Sequence, residues 1–131
     1  MSVESNKELA RRFLEEVINA RNVPAIQEFM VSGSMFAGAF EGFVTNYINV
    51  GFPDFHVKIE GVFSEEDKVL IQTTVTATQT GALMGRPPSG KTYSSTVIYI
   101  FKIANGKITS GQWVMDRMEI AQQLGWIPMP S

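Results

Sequence analysis

Cysteine is absent from this chain of 131 residues, and histidine occurs once, at His56. The first absence excludes disulfides, thiolate metal sites and cysteine nucleophiles. The second leaves few groups for acid–base chemistry near neutral pH, and no cluster suggests a bound metal. An excess of one charge is also missing. Eleven Lys and Arg stand against thirteen Asp and Glu, a net charge of −2, so the basic footprint of a nucleic-acid or membrane-surface protein is lacking. No stretch approaches the roughly 20 apolar residues a membrane-crossing helix needs. The opening MSVESNKELARRF has no apolar run of the secretory kind, which leads to the expectation of a cytoplasmic protein. What is present is ordinary for a packed fold. Hydrophobic residues make up 44% and charged residues 18%, enough for one domain over 1–131.

Helical spacing dominates the first third. Leu9, Phe13, Val17 and Ala20 recur on one side of a helix predicted over Asn6–Ala20, with Ser5 or Asn6 as cap. Pro24 suits the start of a second helix ending at Met30. VSGSMFAGAF (31–40) is too rich in small residues for an assignment, and a short third helix is predicted over Glu41–Val50. After Gly51 and Pro53 the period changes to two. Strands are predicted from Phe55 to about Phe63, over Val69–Thr80, over Lys91–Ala104, and from Lys107 to about Asp116. SEEDK (64–68) and Asn105-Gly106 read as hairpin turns, and GALMGRPPSG (81–90) as a bulging loop. Helices first and antiparallel strands after give an α+β fold. Its curved sheet forms an open cone against the N-terminal helices and encloses a pocket, the kind of concavity that takes an apolar small molecule.

The segment GKITSGQWVMDRMEIAQQLG (106–125) carries the chemistry. Asp116 closes an apolar strand and stands immediately before a helical turn. Such a carboxylate either caps the turn or enters the pocket as a base, and the two roles are compatible. Strict alternation sets Asp116 with Ile108, Ser110, Gln112 and Val114, and turns Trp113, Met115 and Arg117 to the other face. Arg117 would join the site only if a bulge re-aimed it. Gln79 precedes the Gly/Pro loop, where it either reaches the pocket mouth or anchors the loop. Tyr93 and Tyr99 share one strand parity, and either could offer a phenol donor or serve as core. His56 sits opposite the apolar set of the first strand, a position typical of a surface residue and only secondarily of a substrate contact.

Several segments together resemble the SnoaL-like polyketide cyclase family of the nuclear-transport-factor-2-like superfamily. They are residues 6–30, FPDFHVKIEG (52–61), ATQTGALMGRPPSGK (77–91), IFKIANGKI (100–108), and Asp116 followed by QQLG (122–125). The resemblance implies a cone-shaped α+β barrel that pairs as a homodimer or higher assembly and uses no cofactor. It implies an enzyme of secondary metabolism that closes rings by intramolecular aldol chemistry, a cyclase, isomerase or lyase, with Asp116 as the base. In that reading Gln79, Gln112, Tyr93, His56 and Val114 contact the substrate. Where family members often carry a His, this chain has Gln79, and Gly111-Gln112 replaces a frequent His–Trp pair. These departures keep a non-catalytic binding or dimerisation module open as the alternative, together with an epoxide hydrolase-like enzyme of related fold.

Overall fold

A computed structural model describes residues 3–128 and shows helices layered on one face of a four-stranded antiparallel sheet. Helix α1 (Val3–Phe13) begins three residues before the predicted start. It continues into a wider π-type turn, Leu14–Asn19. That turn keeps the adjacent pairs Phe13-Leu14 and Val17-Ile18 wholly inside. At its end the Asn19 amide behaves like a strand. Its Nδ2 donates to the Val57 carbonyl at 2.9 Å, and its Oδ1 accepts from the Val57 N–H at 2.8 Å. One side chain thus joins the helix to an edge strand and covers part of that edge.

A 3₁₀ turn (Val23–Ala25) leads into α2 (Ile26–Phe29), and Lys107 Nζ donates to the Gln27 and Glu28 carbonyls near its end. The unassigned stretch 31–40 proves to contain a helix. Ser34 Oγ accepts from the Ala37 N–H and starts α3 (Met35–Gly42), which runs on through a π-type turn (Phe43–Ile48) and α4 (Asn49–Gly51). The cap and the inward Ala37 and Phe40 outweigh the low helix propensity of Gly38.

The strands are β1 (His56–Glu65), β2 (Lys68–Thr78), β3 (Thr92–Ala104) and β4 (Lys107–Met115), joined in a simple meander. The α+β expectation therefore holds, with an open, curved sheet. The β3–β4 turn has left-handed Asn105 (φ 51°) and Gly106 (φ 75°), as an Asn-Gly hairpin requires. Both edge strands are bulged. In β1, Ile59 pairs with Thr73 and Gly61 with Gln72, leaving Glu60 as the extra residue. In β4, Ile108 pairs with Ile103 and Ser110 with Lys102, leaving Thr109 as the extra residue. Helix α5 (Arg117–Gln123) follows at once and is tied to the start of β3. The Gln123 side chain accepts from the Ser94 N–H and donates to the Ser94 carbonyl. Phe13 sits at the centre of the core, with Phe40, Phe101 and Phe29 edge-on around it at 4.9, 5.6 and 5.8 Å between ring centres.

Candidate functional site

The bulge at Thr109 decides which side chains of β4 face the helices. Ile108 points inward and is buried, but the extra residue reverses the phase beyond it. Gly111, Trp113 and Met115 then lie opposite the inward Phe101, Tyr99 and Val97 of β3. Strict alternation from Ile108 had placed Gln112, Val114 and Asp116 on the concave side. The structure instead exposes all three on the outer face, with Val114 54% exposed.

Between the sheet and the helices runs an aromatic cavity. Its mouth, about 340 Å³, is walled by Phe43, Tyr47, Met84, Trp113, Met115, Arg117, Ile120 and Trp126. That is the small end of the range for ligand pockets, roughly 300–1,000 Å³. Phe43, Trp113 and Met115 also border a deeper end that includes Tyr93, Tyr99 and Phe40. The deep end is nearly filled, with free space of about 10 Å³, the scale of a single water.

Two of the polar groups in this cavity are phenols that face each other. Tyr93 Oη is fully buried and makes no hydrogen bond of regular geometry among the described residues; the group it interacts with is the Tyr47 hydroxyl. Burial raises its pKa well above the ordinary tyrosine value, and the neighbouring Tyr47 adds to the shift. Burial also raises Tyr47, opposed by its interaction with Tyr93 and by the positive charge of Arg117. Tyr99 is raised by burial alone. Tyr93 and Tyr99 are 1% and 3% exposed, so the folded protein holds both phenols protonated above pH 10, where the unfolded chain ionises. The unfolded state then binds fewer protons, so stability falls as pH rises. Urea unfolding between pH 10 and 11.5 should show a loss for each phenol that steepens toward about 1.4 kcal/mol per pH unit, and replacing one by Phe should remove one such contribution.

The remaining predicted site residues fall in distinct places. Asp116 is the N-cap of α5, with Oδ1 accepting from the Glu119 N–H at 2.9 Å, so the capping role is realised. It faces a shallow outer depression with Thr96, Ile98 and Val114. Met115 and Arg117 border both that depression and the cavity mouth, whereas Asp116 borders the depression and not the mouth. Tyr93 is brought into the cavity, whereas His56 is exposed at the start of β1. Gln79 is completely buried and anchors the loop. Its Nε2 donates to the Gly81 and Pro87 carbonyls, and its Oε1 accepts from Trp126 Nε1 at 2.9 Å. Arg86 stacks on the same indole and donates to the Trp126 carbonyl. Gln79 thereby positions a wall of the mouth without lining it.

Tyr47, Arg117, Trp113 and Trp126 had no assigned role in the sequence reading. Tyr47 could have been found from its four-residue spacing to Phe43, since the two rings stack at 5.0 Å between centres on the inner side of the helix. Arg117 required the bulge. Gly111 leaves the inward place on β4 to its neighbours: a Cβ there would meet the Ile100 carbonyl oxygen at 2.5 Å and the Phe36 ring at 3.0 Å.

Among the described residues no helix is long and apolar enough to cross a membrane. The sequence matches the family described as SnoaL-like polyketide cyclase over residues 8–124. Solved structures share the fold at low identity. AclR of Streptomyces galilaeus, described as a candidate hydroxylase, is 23% identical with a TM-score of 0.80, over 99% of this chain and 87% of that one. A candidate polyketide cyclase from Acidithiobacillus ferrooxidans is also 23% identical at 0.80, over 96% and 99%. A SnoaL-like polyketide cyclase from Agrobacterium tumefaciens is 17% identical at 0.75, over 95% and 100%. No curated protein sequence matches the chain.

Proposed function

Because this chain belongs to the SnoaL-like polyketide cyclase family, we propose that it closes or isomerises rings on an apolar, carbonyl-rich small molecule of polyketide type. The observation that carries this reading is the aromatic cavity with its few aimed polar groups, Asp116 standing on the outer face next to two residues of its mouth. Carbon flanked by two carbonyls is acidic enough for one carboxylate to deprotonate, so this chemistry calls on no redox group. In this reading Asp116 takes that proton, leaving an enolate. The enolate carbon attacks a second carbonyl of the same molecule, one carbon–carbon bond forms, and the resulting alkoxide recovers a proton from the Asp116 carboxyl. To reach the mouth, Asp116 exchanges its bond with the Glu119 N–H for the substrate. The Tyr93 hydroxyl, turning from Tyr47 to the substrate, supplies a donor for a carbonyl at the deep end, a buried group whose hydrogen bond is worth most where water is excluded. Walls of Phe, Trp and Tyr hold a flexible chain in a folded, near-attack shape. Incubating the protein with aromatic-primed poly-β-ketones and following ring closure by chromatography tests the reading. No acceleration over buffer for any of them would leave it without support.

One observation favours a second reading, a binder without turnover: Asp116 faces away from the cavity as the chain stands. Ligand binding that is indifferent to Asp116, with no product, is its signature.

The outer sheet face bears on assembly. Phe63 is 58% exposed and lines a shallow surface with Leu70 and Ile100, bordered by Glu65, Glu66 and Lys68, while Ile98 and Val114 line another, bordered by Asp116 and Arg117. A second copy packed across this face is the homodimer the reading includes. Sedimentation equilibrium at micromolar concentration should give twice the chain mass, and a Phe63→Glu variant should give the monomer. A parent protein that sediments as a monomer would remove this part of the proposal.

A further inference from the structure

We infer that the cavity selects ligands carrying a carboxylate or an equivalent anion, bound by the Arg117 guanidinium at the mouth with the apolar body among the aromatic walls. This deepens the reading of the cavity as a small-molecule site and rests on it. Arg117 is the cation among the residues that wall the mouth, where it stands with Phe43, Tyr47, Met84, Trp113, Met115, Ile120 and Trp126. It makes no ion pair and no hydrogen bond among the described residues. Its neighbours in the chain are otherwise engaged. The Asp116 carboxylate accepts from the Glu119 N–H, and the Glu119 carboxylate accepts from Gln123 Nε2 at 3.1 Å. Its positive charge bears on the Tyr47 phenol, which also interacts with Tyr93. A guanidinium with all its N–H donors free, facing an apolar concavity, is suited to bidentate pairing with a carboxylate. Arg117 itself is exposed, so the pair forms at the solvent boundary and is sensitive to salt. The Tyr47 hydroxyl can donate to the same anion.

The order of groups from rim to depth then orients the ligand. The anion stays at Arg117, the rings stack along Phe43, Trp113 and Trp126, and the far end approaches Tyr93. A neutral ester or amide of the same shape keeps the stacking and loses the anchor.

Calorimetric titration with naphthoate and with naphthamide, equal in ring system and nearly equal in size, reads the difference. The parent protein should bind naphthoate about tenfold more tightly than naphthamide at low salt, as one charge-assisted pair supplies. Raising the salt should narrow the gap. Arg117→Gln should abolish the preference by weakening naphthoate alone about tenfold, and Arg117→Lys should keep part of it. Equal affinity of the parent for both compounds, or an equal loss of both in Arg117→Gln, overturns the inference while leaving the cavity as a ligand site. Binding of neither compound removes the cavity reading and this inference with it.

Discussion

An Asp116→Asn protein is expected to fold like the parent and to turn over its substrate about a hundred- to ten-thousand-fold more slowly, the range for loss of a general base. The substitution suits the question because Asn is as good an N-cap as Asp. Its side-chain oxygen can still accept from the Glu119 N–H, so α5 keeps its start and the mouth keeps its wall. What is lost is the negative oxygen that takes a proton. Asp116→Ala separates the two roles. It should lose turnover to the same degree and also about 1 kcal/mol of stability, through the missing cap. Turnover that survives in Asp116→Asn with binding intact would mean another group removes the proton. A parent protein that binds but makes no product would support the binder.

The second large effect concerns stability. Phe13→Ala should cost about 3–5 kcal/mol, the usual range for a buried phenylalanine. For a chain of this size that corresponds to a fall in Tm of about 10–20 °C by differential scanning calorimetry. Phe13 is wholly buried, and its ring is the meeting point of α2, α3 and β3 through Phe29, Phe40 and Phe101. The void therefore opens at the centre of four elements and cannot close by moving one of them. The three edge-to-face contacts of Phe13 with Phe29, Phe40 and Phe101 are lost as well. Phe40 also packs against Trp113 at 5.1 Å between centres, so the deep wall of the cavity should loosen. A fall of less than 3 °C would show that the core closes over the gap.

Much of the architecture was legible in the sequence. The amphipathic stripe of the first helix, the change to period two after Pro53, and Asn105-Gly106 led to α+β with helices ahead of an antiparallel meander. Helix α3 was hidden because Gly33 and Gly38 interrupt the stretch and its small side chains give no clear apolar stripe, while the Ser34 cap acts through one hydrogen bond. The site was legible by segment more than by residue. Residues 106–125 do supply Trp113, Met115, Arg117 and Ile120 to the mouth. The assignment of faces was reversed because Thr109 is an extra residue on one strand only, and pairing is invisible in one strand's own pattern. Apolar side chains at Ile108, Trp113, Val114 and Met115 fit either phase of the far half. Gln79 reads in the sequence as a substrate contact, with loop anchoring as the alternative. The anchoring is what the structure shows, and its bond to Trp126 lies 47 positions away in sequence, where no local pattern reports it.

Thr109 also means that β4 works as a counting device. The chemistry inside the cavity depends on how many residues separate the Asn105-Gly106 turn from Trp113, as well as on which residues they are. Removing one residue at Thr109 would restore strict alternation and turn the distal half of the strand over. Gln112, Val114 and the backbone leading to Asp116 would then face the helices, and Trp113 and Met115 would face solvent. One sequence of side chains thus encodes two pockets, an aromatic one with an arginine at its door and a more polar one with a carboxylate. A single codon's length separates them, so relatives with the same residues and one fewer position in this strand would be expected to handle different molecules.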